Sequence, residues 1–449
     1  MKIKVFILVL LYSVNALFGQ VTFEKNYGAN LSDDKAYDGD QTSDGGFMVL
    51  GKLNYHIVDG DALLVRTNPL GDTLWTKTIA ARGIPRMVMT ADDGVVIMRW
   101  AQDSTSAYKL SLLRIGANGD SLWSKFYGID IPGSRIRPTS DAGYIITGNI
   151  EDSVISLCKL DSNFNIQWKR DYGYCSYPRF WAWDVVQTSD NGYAISGKVT
   201  YYSDSPILMK TNASGDSLFV KVFRGLNVSG FCVREASDGG YIIGTDKGYL
   251  IKTNSAGDSL WCKNYVYNQS DLDNPFAIVV NTDGDYVVTG GCIEAPVFLA
   301  KIDQSGDTVW TRFFGGEVSG GRGGNSIIQT DDGGYFITGA GLIISGQDDH
   351  YDLYLLKVNE NGILDVGRTS LFPENRNLRV FPNPSGGVFT VSVVEAADFE
   401  ICNVAGEVVY SGSLLKGDNQ FSLDEPDGVY FIKATNERNI SVGKIFLQN

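Results

Sequence analysis

The sequence has 449 residues, which is enough for two or three domains of ordinary size. Its 52 acidic and 38 basic residues give a formal net charge of −14. This charge argues against a nucleic-acid partner and against binding to anionic membrane surfaces, because both interactions need clustered lysine and arginine. The 51 glycines, the 12 prolines and an aromatic content of 12% favour many strands joined by tight turns.

Residues 1–19 have the features of a signal peptide. Two lysines precede an apolar run at 5–11, which is too short to span a bilayer, and small residues follow it. Cleavage after Ala16 would satisfy the small-residue rule, whereas cleavage after Gly19 would leave Gln20 first, and the sequence leaves both open. No later segment is long and apolar enough to span a membrane. We therefore expect the mature chain to be exported without a transmembrane segment.

The six cysteines are far apart and lack the spacing of metal ligands. Export would permit disulfides, and the sequence does not decide their status, but buried free thiols are the simpler expectation. These residues are Cys158, Cys175, Cys232, Cys262, Cys292 and Cys402.

A turn-plus-strand unit recurs seven times between residues 20 and 364. Its aligned aspartates recur every 45–49 residues, at Asp44, Asp92, Asp141, Asp190, Asp238, Asp283 and Asp332. A second unit, typically Gly-Asp-Ser-Leu-Trp, follows each of the first six and begins at Gly71, Gly119, Asn163, Gly215, Gly257 and Gly306. Self-similarity at this period indicates a repeat architecture.

Each repeat predicts four strands, here named A to D in chain order. Strands B and C are apolar at nearly every position, so both of their faces must be covered, as in the stacked sheets of a β-propeller. The seventh repeat lacks strand D, but residues 23–28 resemble one. We therefore predict a seven-bladed β-propeller at 20–364, closed by the strand at 22–27, which would remove an open sheet edge.

After a polar linker at 365–377, short strands and turns at 378–449 predict a small immunoglobulin-like β-sandwich, so the whole chain is all-β. This segment resembles the type A sorting domain of the type IX secretion system. The resemblance rests on motifs that include Pro382, Asn383, Pro384, Gly386, Gly406, Gly428, Tyr430 and Lys444. It implies the secretion machinery as a partner, translocation across the outer membrane, and a secreted or surface-attached product. Whether the product is released or anchored stays open.

Features that recur in every repeat predict architecture, whereas features that occur once are candidates for function. In a hairpin, the repeated aspartate more often bonds its own backbone than a calcium ion. The recurrent tryptophans and tyrosines favour packing between blades. The cation that ends each strand C is predicted to face the turn carboxylate, at Arg66, Arg114, Lys159, Lys210, Lys252, Lys301 and Lys357.

An aromatic segment at 172–183, predicted as a loop, is the clearest unique feature. A second aromatic loop lies between strands B and C of the blade that follows this segment. Exposed rings beside an arginine suit a carbohydrate or a peptide. The alternative is that these rings only plug the central channel. The candidate ligand residues are Tyr174, Tyr177, Arg179, Trp181, Trp183, Tyr201 and Tyr202.

The two histidines, His56 and His350, are predicted in loops of the first and seventh blades, which become neighbours when the ring closes. Nearby aspartates make a metal site conceivable, but solvated loops explain the pattern more simply. We expect no cofactor.

The sequence carries no common hydrolase or phosphate-binding motif. Glu294 and Glu317, in loops of adjacent blades, are weak candidates for a glycosidase-like carboxylate pair, favoured only by the adjacency of their loops. The leading hypothesis is therefore a non-catalytic module that binds a glycan or a protein. The alternative is a secreted polysaccharide hydrolase or lyase, and a structural filler of the cell envelope is a third option.

Overall fold

The computed structural model describes most of the chain, which divides into two compact units, Met1–Val366 and Gly367–Asn449. Among the described residues, no helix is long and apolar enough to cross a membrane. The predicted signal peptide and linker lie outside the described residues. The described ranges are 20–28, 33–57, 60–102, 108–129, 133–150, 153–173, 178–265, 277–292, 295–314, 323–343, 350–364, 378–381, 385–403, 407–426, 428–436 and 440–447.

The first unit is built from seven four-stranded antiparallel sheets. The first strand, β1 (Phe23–Tyr27), belongs to the last sheet, and blades 1 to 3 follow it in chain order. These blades comprise β2 (Lys35–Gln41), β3 (Phe47–Lys52), β4 (Ala62–Thr67) and β5 (Thr73–Ile79); β6 (Arg82–Met89), β7 (Val95–Gln102), β8 (Tyr108–Ile115) and β9 (Ser121–Phe126); and β10 (Gly133–Pro138), β11 (Tyr144–Ile150), β12 (Val154–Leu160) and β13 (Ile166–Tyr172).

Blades 4 to 6 repeat the same order, and blade 7 supplies three strands of its own. The strands are β14 (Arg179–Gln187), β15 (Tyr193–Thr200), β16 (Asp204–Thr211) and β17 (Ser217–Val222); β18 (Gly230–Glu235), β19 (Tyr241–Thr245), β20 (Tyr249–Thr253) and β21 (Ser259–Asn264); β22 (Ala277–Val280), β23 (Tyr286–Cys292), β24 (Ala295–Ile302) and β25 (Thr308–Phe314); then β26 (Gly324–Gln329), β27 (Tyr335–Ile343) and β28 (His350–Val358). The seven-bladed propeller is confirmed.

The N-terminal strand completes the last blade. Strand β1 pairs antiparallel with β28, with Phe23 opposite Lys357 and Tyr27 opposite Leu353, so the sheet order is β1-β28-β27-β26. The Phe23 ring packs among the rings of Phe47 and Phe336, which belong to blades 1 and 7. The predicted closure by an N-terminal strand is therefore confirmed.

Each turn between strands A and B is held by its aspartate and the cation of strand C. In blade 4, Asp190 accepts hydrogen bonds from the Gly192 amide at 2.9 Å and from Lys210 Nζ at 2.8 Å. Equivalent ion pairs occur in the other six blades. The predicted architectural role of these residues is confirmed.

Aromatic rings of strand D cover the strand C–D turn of the following blade. A Cβ atom built on Gly215 would lie 2.8 Å from the Trp168 ring, and one built on Gly257 would lie 2.7 Å from Phe219. The same relation joins Trp75 to Gly119 and Trp261 to Gly306. The recurrent tryptophans therefore pack between blades, as predicted. Strand D begins two residues before the tryptophan rather than at it, as β5 shows.

The second unit is a small two-sheet sandwich. One sheet orders β29 (Leu378–Phe381), β30 (Val388–Val393) and β33 (Gly417–Ser422), and the other orders β32 (Val408–Leu414), β31 (Ala397–Cys402), β34 (Gly428–Thr435) and β35 (Ile440–Leu447). Side chains of both sheets, such as Phe389 and Ile432, share one buried core. The predicted sandwich is confirmed.

The described part of the sorting motif forms turns and strand pairs. Gly428 opens β34 opposite Leu447, and Lys444 pairs with Phe431 in the same ladder. The buried Tyr430 donates a hydrogen bond to the Pro426 carbonyl at 2.8 Å. Gly386 lies in the turn before β30, whereas Pro382, Asn383, Pro384 and Gly406 lie outside the described residues.

Candidate functional site

The inner strands of neighbouring blades lie side by side around the propeller axis and enclose a cavity of about 280 Å³. Several of these A strands carry a register shift, for example between Ala182 and Asp184 in β14 and between Gly230 and Cys232 in β18. A bulge of this kind changes the direction in which the side chain of the extra residue points. The extra residues Tyr37, Trp183, Phe231 and Asn325 all line this cavity, which we call the channel site.

The charged side chains of the channel site do not recur in every blade. Counted back from the repeated turn, the same position carries Asp38, Arg86, Arg135 and Asp184 in blades 1 to 4. Two residues further along the strand, Asp40, Arg137 and Arg234 also line the cavity. The corresponding positions of blades 6 and 7 hold Ala277, Val279, Ser326 and Ile328. One side of the channel is therefore charged and the other is neutral.

Asp184 is the centre of the charged side. Its fully buried carboxylate lies 2.7 Å from Arg234 Nη1, 3.2 Å from Arg137 Nη2 and 3.4 Å from Arg135 Nε. Burial alone would raise the pKa of Asp184, but Arg137, Arg234 and Arg135 together hold it far below its usual range. Asp184 is thus ionised, and its two carboxylate oxygens already accept hydrogen bonds from protein donors.

Asp38 anchors the other arginines. Its Oδ1 atom accepts a hydrogen bond from Arg135 Nη1 at 2.6 Å and lies 3.6 Å from Arg86 Nη1. Its Oδ2 atom accepts the Met87 amide at 3.0 Å. Arg135 therefore bridges two carboxylates, while Arg86 also lies over the Tyr37 ring at 5.5 Å.

The positive charge of the channel site is incompletely balanced. Burial, reinforced by neighbouring guanidinium groups, lowers the pKa of Arg86 and of Arg137 to about 10. The Nε atoms of Arg135 and Arg137 are buried without a hydrogen-bond partner. Burial also raises the pKa of Asp40 to about 6, so this carboxylate gives up its proton less readily than a solvated one.

An aromatic pair borders these charges. The rings of Trp183 and Phe231, from blades 4 and 5, stack with centroids 4.9 Å apart and an interplanar angle of 20°. The Trp183 Nε1 donor is buried without a hydrogen-bond partner. A flat apolar surface thus lies beside a donor and a cluster of cations, which is the composition of a specific ligand site.

Two other cavities lie over blade 2 and are less specific. They measure about 330 and 230 Å³ and share Arg82, Arg99 and Trp100. Arg99 donates a hydrogen bond to the Ala80 carbonyl at 2.5 Å. Neither cavity collects charged residues from more than two blades.

The aromatic ligand site that the sequence predicted is divided in the structure. Arg179, Trp181 and Trp183 belong to strand β14, so their assignment to a loop was wrong, because this segment pairs antiparallel with β15 from Arg179 onward. Trp181 lies under Lys198 Nζ at 4.8 Å, and only Trp183 lines the channel site.

The remaining members of that predicted site have separate surroundings. Tyr201 packs against the core between blades 3 and 4, with the Arg224 guanidinium 5.0 Å from its ring. Tyr202 is fully exposed in the predicted loop. Tyr174 and Tyr177 lie outside the described residues, as do the candidate carboxylates Glu294 and Glu317.

The two histidines lie where blades 1 and 7 meet. His56 Nε2 is 3.0 Å from Asp33, and the Tyr351 amide donates a hydrogen bond to the same carboxylate at 3.0 Å. His350 begins strand β28 rather than lying in a loop, and it is 3.6 Å from Asp352. Within the described ranges, no group of three or more histidine, cysteine or acidic side chains is arranged to hold a metal ion.

Four cysteines of the described chain are free thiols. Cys158 and Cys232 are buried, as expected, whereas Cys402 is half-buried and Cys262 is exposed on the outer strand β21. Cys232 lines the channel site, and burial raises its pKa to about 12.

The sequence predictions did not include the charged residues of the channel site, because these residues lie on inner strands and only loops were considered as ligand-binding segments. A usable signal was nevertheless present in the sequence. When the repeats are aligned on the turn aspartate, the position six residues before it holds Asp38, Arg86, Arg135 and Asp184 in the first four repeats. A purely structural repeat would keep one residue type at this position.

Comparison with known proteins identifies the C-terminal unit. Residues 379–448 match the family described as "Secretion system C-terminal sorting domain". A search of curated protein sequences finds no match. The sorting domain shows that the protein is exported by type IX secretion, to the cell surface or to the medium.

Solved structures similar to the chain share its fold at low identity. A streptogramin B lyase matches with a TM-score of 0.51 and 10% identity, covering 75% of this chain and 98% of that one. A catalytically inactive variant of virginiamycin B lyase from Staphylococcus aureus gives 0.50 and 10%, covering 75% and 99%. PorZ of Porphyromonas gingivalis, a surface component of type IX secretion, gives 0.47 and 11% over 95% of this chain, which spans 60% of the PorZ length.

Proposed function

We propose that this protein, exported through its type IX sorting domain, is a non-catalytic binding protein whose propeller takes up part of a glycan or a protein at the channel site. The observation that supports this proposal is the collection, in one cavity, of charged and aromatic side chains that do not recur in every blade. Trp183, Phe231 and four arginines line it, on a framework that is otherwise repetitive.

The framework suits binding by a preformed site. Strands B and C are buried on both faces and β1 closes the ring, so each inner strand is held by its own sheet and by the neighbouring blades. A site held in this way loses little conformational entropy when a ligand binds. The cavity of about 280 Å³ is at the small end of ligand pockets, which favours one compact group rather than an extended chain segment.

A glycan array, followed by titration calorimetry with the secreted protein, tests the proposal. Trp183→Ala is expected to weaken binding at least about tenfold, because a buried aromatic anchor contributes about 2 kcal/mol or more. Trp181→Ala is the matched control, since Trp181 lies two residues away on the same strand but does not line the cavity. It should leave the affinity within about twofold.

The outcomes separate the candidate functions. Equal binding by wild type and Trp183→Ala would contradict the channel as the ligand site. Recovery of a shortened glycan after incubation would favour the alternative, a secreted polysaccharide hydrolase or lyase.

A further inference from the structure

The channel site carries more positive than negative charge. Four guanidinium groups line it, against the three carboxylates of Asp38, Asp40 and Asp184. A buried excess of cations costs free energy unless an anion compensates it. Burial, reinforced by neighbouring guanidinium groups, lowers the pKa of Arg86 and Arg137, whereas Asp38 and Asp184 outweigh burial and raise the pKa of Arg135.

Arg137 is the arginine best placed to receive an anion. It has the most exposed side chain of the four, at 30%, compared with 13% for Arg135, 17% for Arg86 and 21% for Arg234. Its contacts with Asp184, at 3.2 and 3.4 Å, use only Nη2 and are long for a charged pair. Its Nε atom is buried without a partner. A guanidinium with free donors in a fork binds carboxylates well.

The same cavity offers a surface for a ring. Trp183 immediately precedes Asp184, the carboxylate that Arg137 contacts, and stacks on Phe231. A sugar ring can lay its apolar face on such a surface. A peptide would also bring amide N–H donors, but Asp38 and Asp184 already accept from arginines and backbone amides.

We infer that the ligand of the channel site is a carboxylate-bearing sugar, whose ring lies against Trp183 and whose carboxylate accepts hydrogen bonds from Arg137. This inference rests on the proposed binding function and specifies the chemical class of its ligand. The neutral side of the channel, at Ala277 and Ile328, contacts the part of the sugar that carries no charge.

Titration of the full-length secreted protein with glucuronate and galacturonate, each compared with its methyl ester, tests the inference. The ester keeps the ring and removes the charge. At least one acid should bind about tenfold or more tightly than its ester, the effect expected of a charge-assisted hydrogen bond. Equal binding of acids and esters would overturn the inference.

Arg137→Gln should bring the acid-to-ester affinity ratio close to one. Arg170→Gln, on the outer strand β13 of the same blade, is the matched control and should keep the wild-type ratio, because Arg170 is exposed and does not line the channel. Thermal unfolding of both variants verifies that they fold. If Arg137→Gln does not fold, the acid-to-ester ratio of the wild type still decides the inference.

The remaining outcomes distinguish this inference from the proposed function. Neutral glycans that bind and lose affinity in Trp183→Ala, without preference for the acids, would overturn the acidic-sugar assignment but leave the binding function. A tripeptide with a free carboxyl end that binds better than its amide, while the uronates do not bind, would overturn the assignment to a sugar. No Trp183-dependent binding of any of these probes would contradict both.

Discussion

At the scale of single residues, the propeller depends on buried cations that face partly exposed carboxylates. Lys210 is 4% exposed, and its ammonium donates to Asp190 and to the Thr211 carbonyl at 2.8 Å. The carboxylate in turn fixes the hairpin by accepting the Gly192 amide. Each pair therefore joins strand C to the turn that precedes strand B.

Removing the carboxylate should leave a buried ammonium without a counter-charge. We expect Asp190→Ala to lower the free energy of unfolding by about 2–3 kcal/mol at pH 7, less than for a fully buried pair because Asp190 is 57% exposed. Asp216→Ala in the same blade is the control. Asp216 lies 3.9 Å from an exposed arginine, so its loss should cost less than about 1 kcal/mol. Chemical denaturation measures both, and equal losses would contradict this role.

The same pair predicts a direction for the effect of acid. The hydrogen bonds from Lys210, Thr188 and Gly192 outweigh burial and lower the pKa of Asp190 to about 2, from 3.8. The native state therefore binds this proton less readily than the unfolded chain, so the contribution is complete above about pH 4 and is lost as the pH falls to about 2. The stability difference between wild type and Asp190→Ala should shrink over that range.

At the scale of the structural elements, a strand D ring of one blade lies over the turn of the next. The turn glycines have positive φ, for example 81° at Gly215 and 79° at Gly257. The equivalent residue in blade 3 is Phe164, with φ 60°, and its ring packs against Trp123 and Tyr144 instead. At Gly215 and Gly257, where an added Cβ would lie 2.8 and 2.7 Å from the ring of the preceding blade, the absence of a side chain is a packing requirement.

Two glycine variants separate this packing from backbone strain. Gly215→Ala should lower the free energy of unfolding by about 2–3 kcal/mol, because the new methyl group adds overpacking against Trp168 to the cost of positive φ. Gly239→Ala has a similar φ of 74° but open space, so it should cost only about 1 kcal/mol. Ala142 occupies the same repeat position as Gly239 with φ 60°. Equal costs would contradict the packing argument.

At the scale of the whole molecule, the ring is held closed by strand β1. Besides its backbone pairing with β28, Glu24 accepts a hydrogen bond from the Tyr354 hydroxyl at 2.7 Å. Tyr27 donates its hydroxyl to the Gly71 carbonyl of blade 1, so the same strand ties blade 7 to its neighbour. Among the described strands, no other blade depends on one from the far end of the propeller.

A mature chain that begins at Gly28 should unfold at a lower temperature and should self-associate. Deleting β1 removes the buried Phe23, worth about 3–5 kcal/mol by itself, and exposes β28 as an open edge. Phe23→Ala is the control, since it loses the side chain but keeps the strand. Differential scanning calorimetry and light scattering over a range of concentrations measure the two effects. A deletion variant that stays monomeric would contradict the role of β1 in covering the edge.

The repeat determined how much of this molecule could be predicted. Asp44 and its six equivalents gave the blade count, because a repeated hairpin needs the same turn chemistry each time. Of the channel site only Trp183 was predicted, since bulges at Trp183 and Phe231 change which way side chains point, and no local residue pattern marks a bulge. Ion pairs between strands of different blades, such as that of Arg135 with Asp38, depend on the order of the ring.

The pairing of β1 with β28 also determines when the ring can close as the exported chain folds. Glu24 and Tyr354 are 330 positions apart. If the chain emerges amino end first, β1 therefore stays unpaired while the six complete blades form. Contacts between such distant positions form slowly. Until the seventh blade has formed, β1 lacks its pairing partner and the first blade lacks the neighbour on one of its faces, so the ring stays open until the last repeat is present.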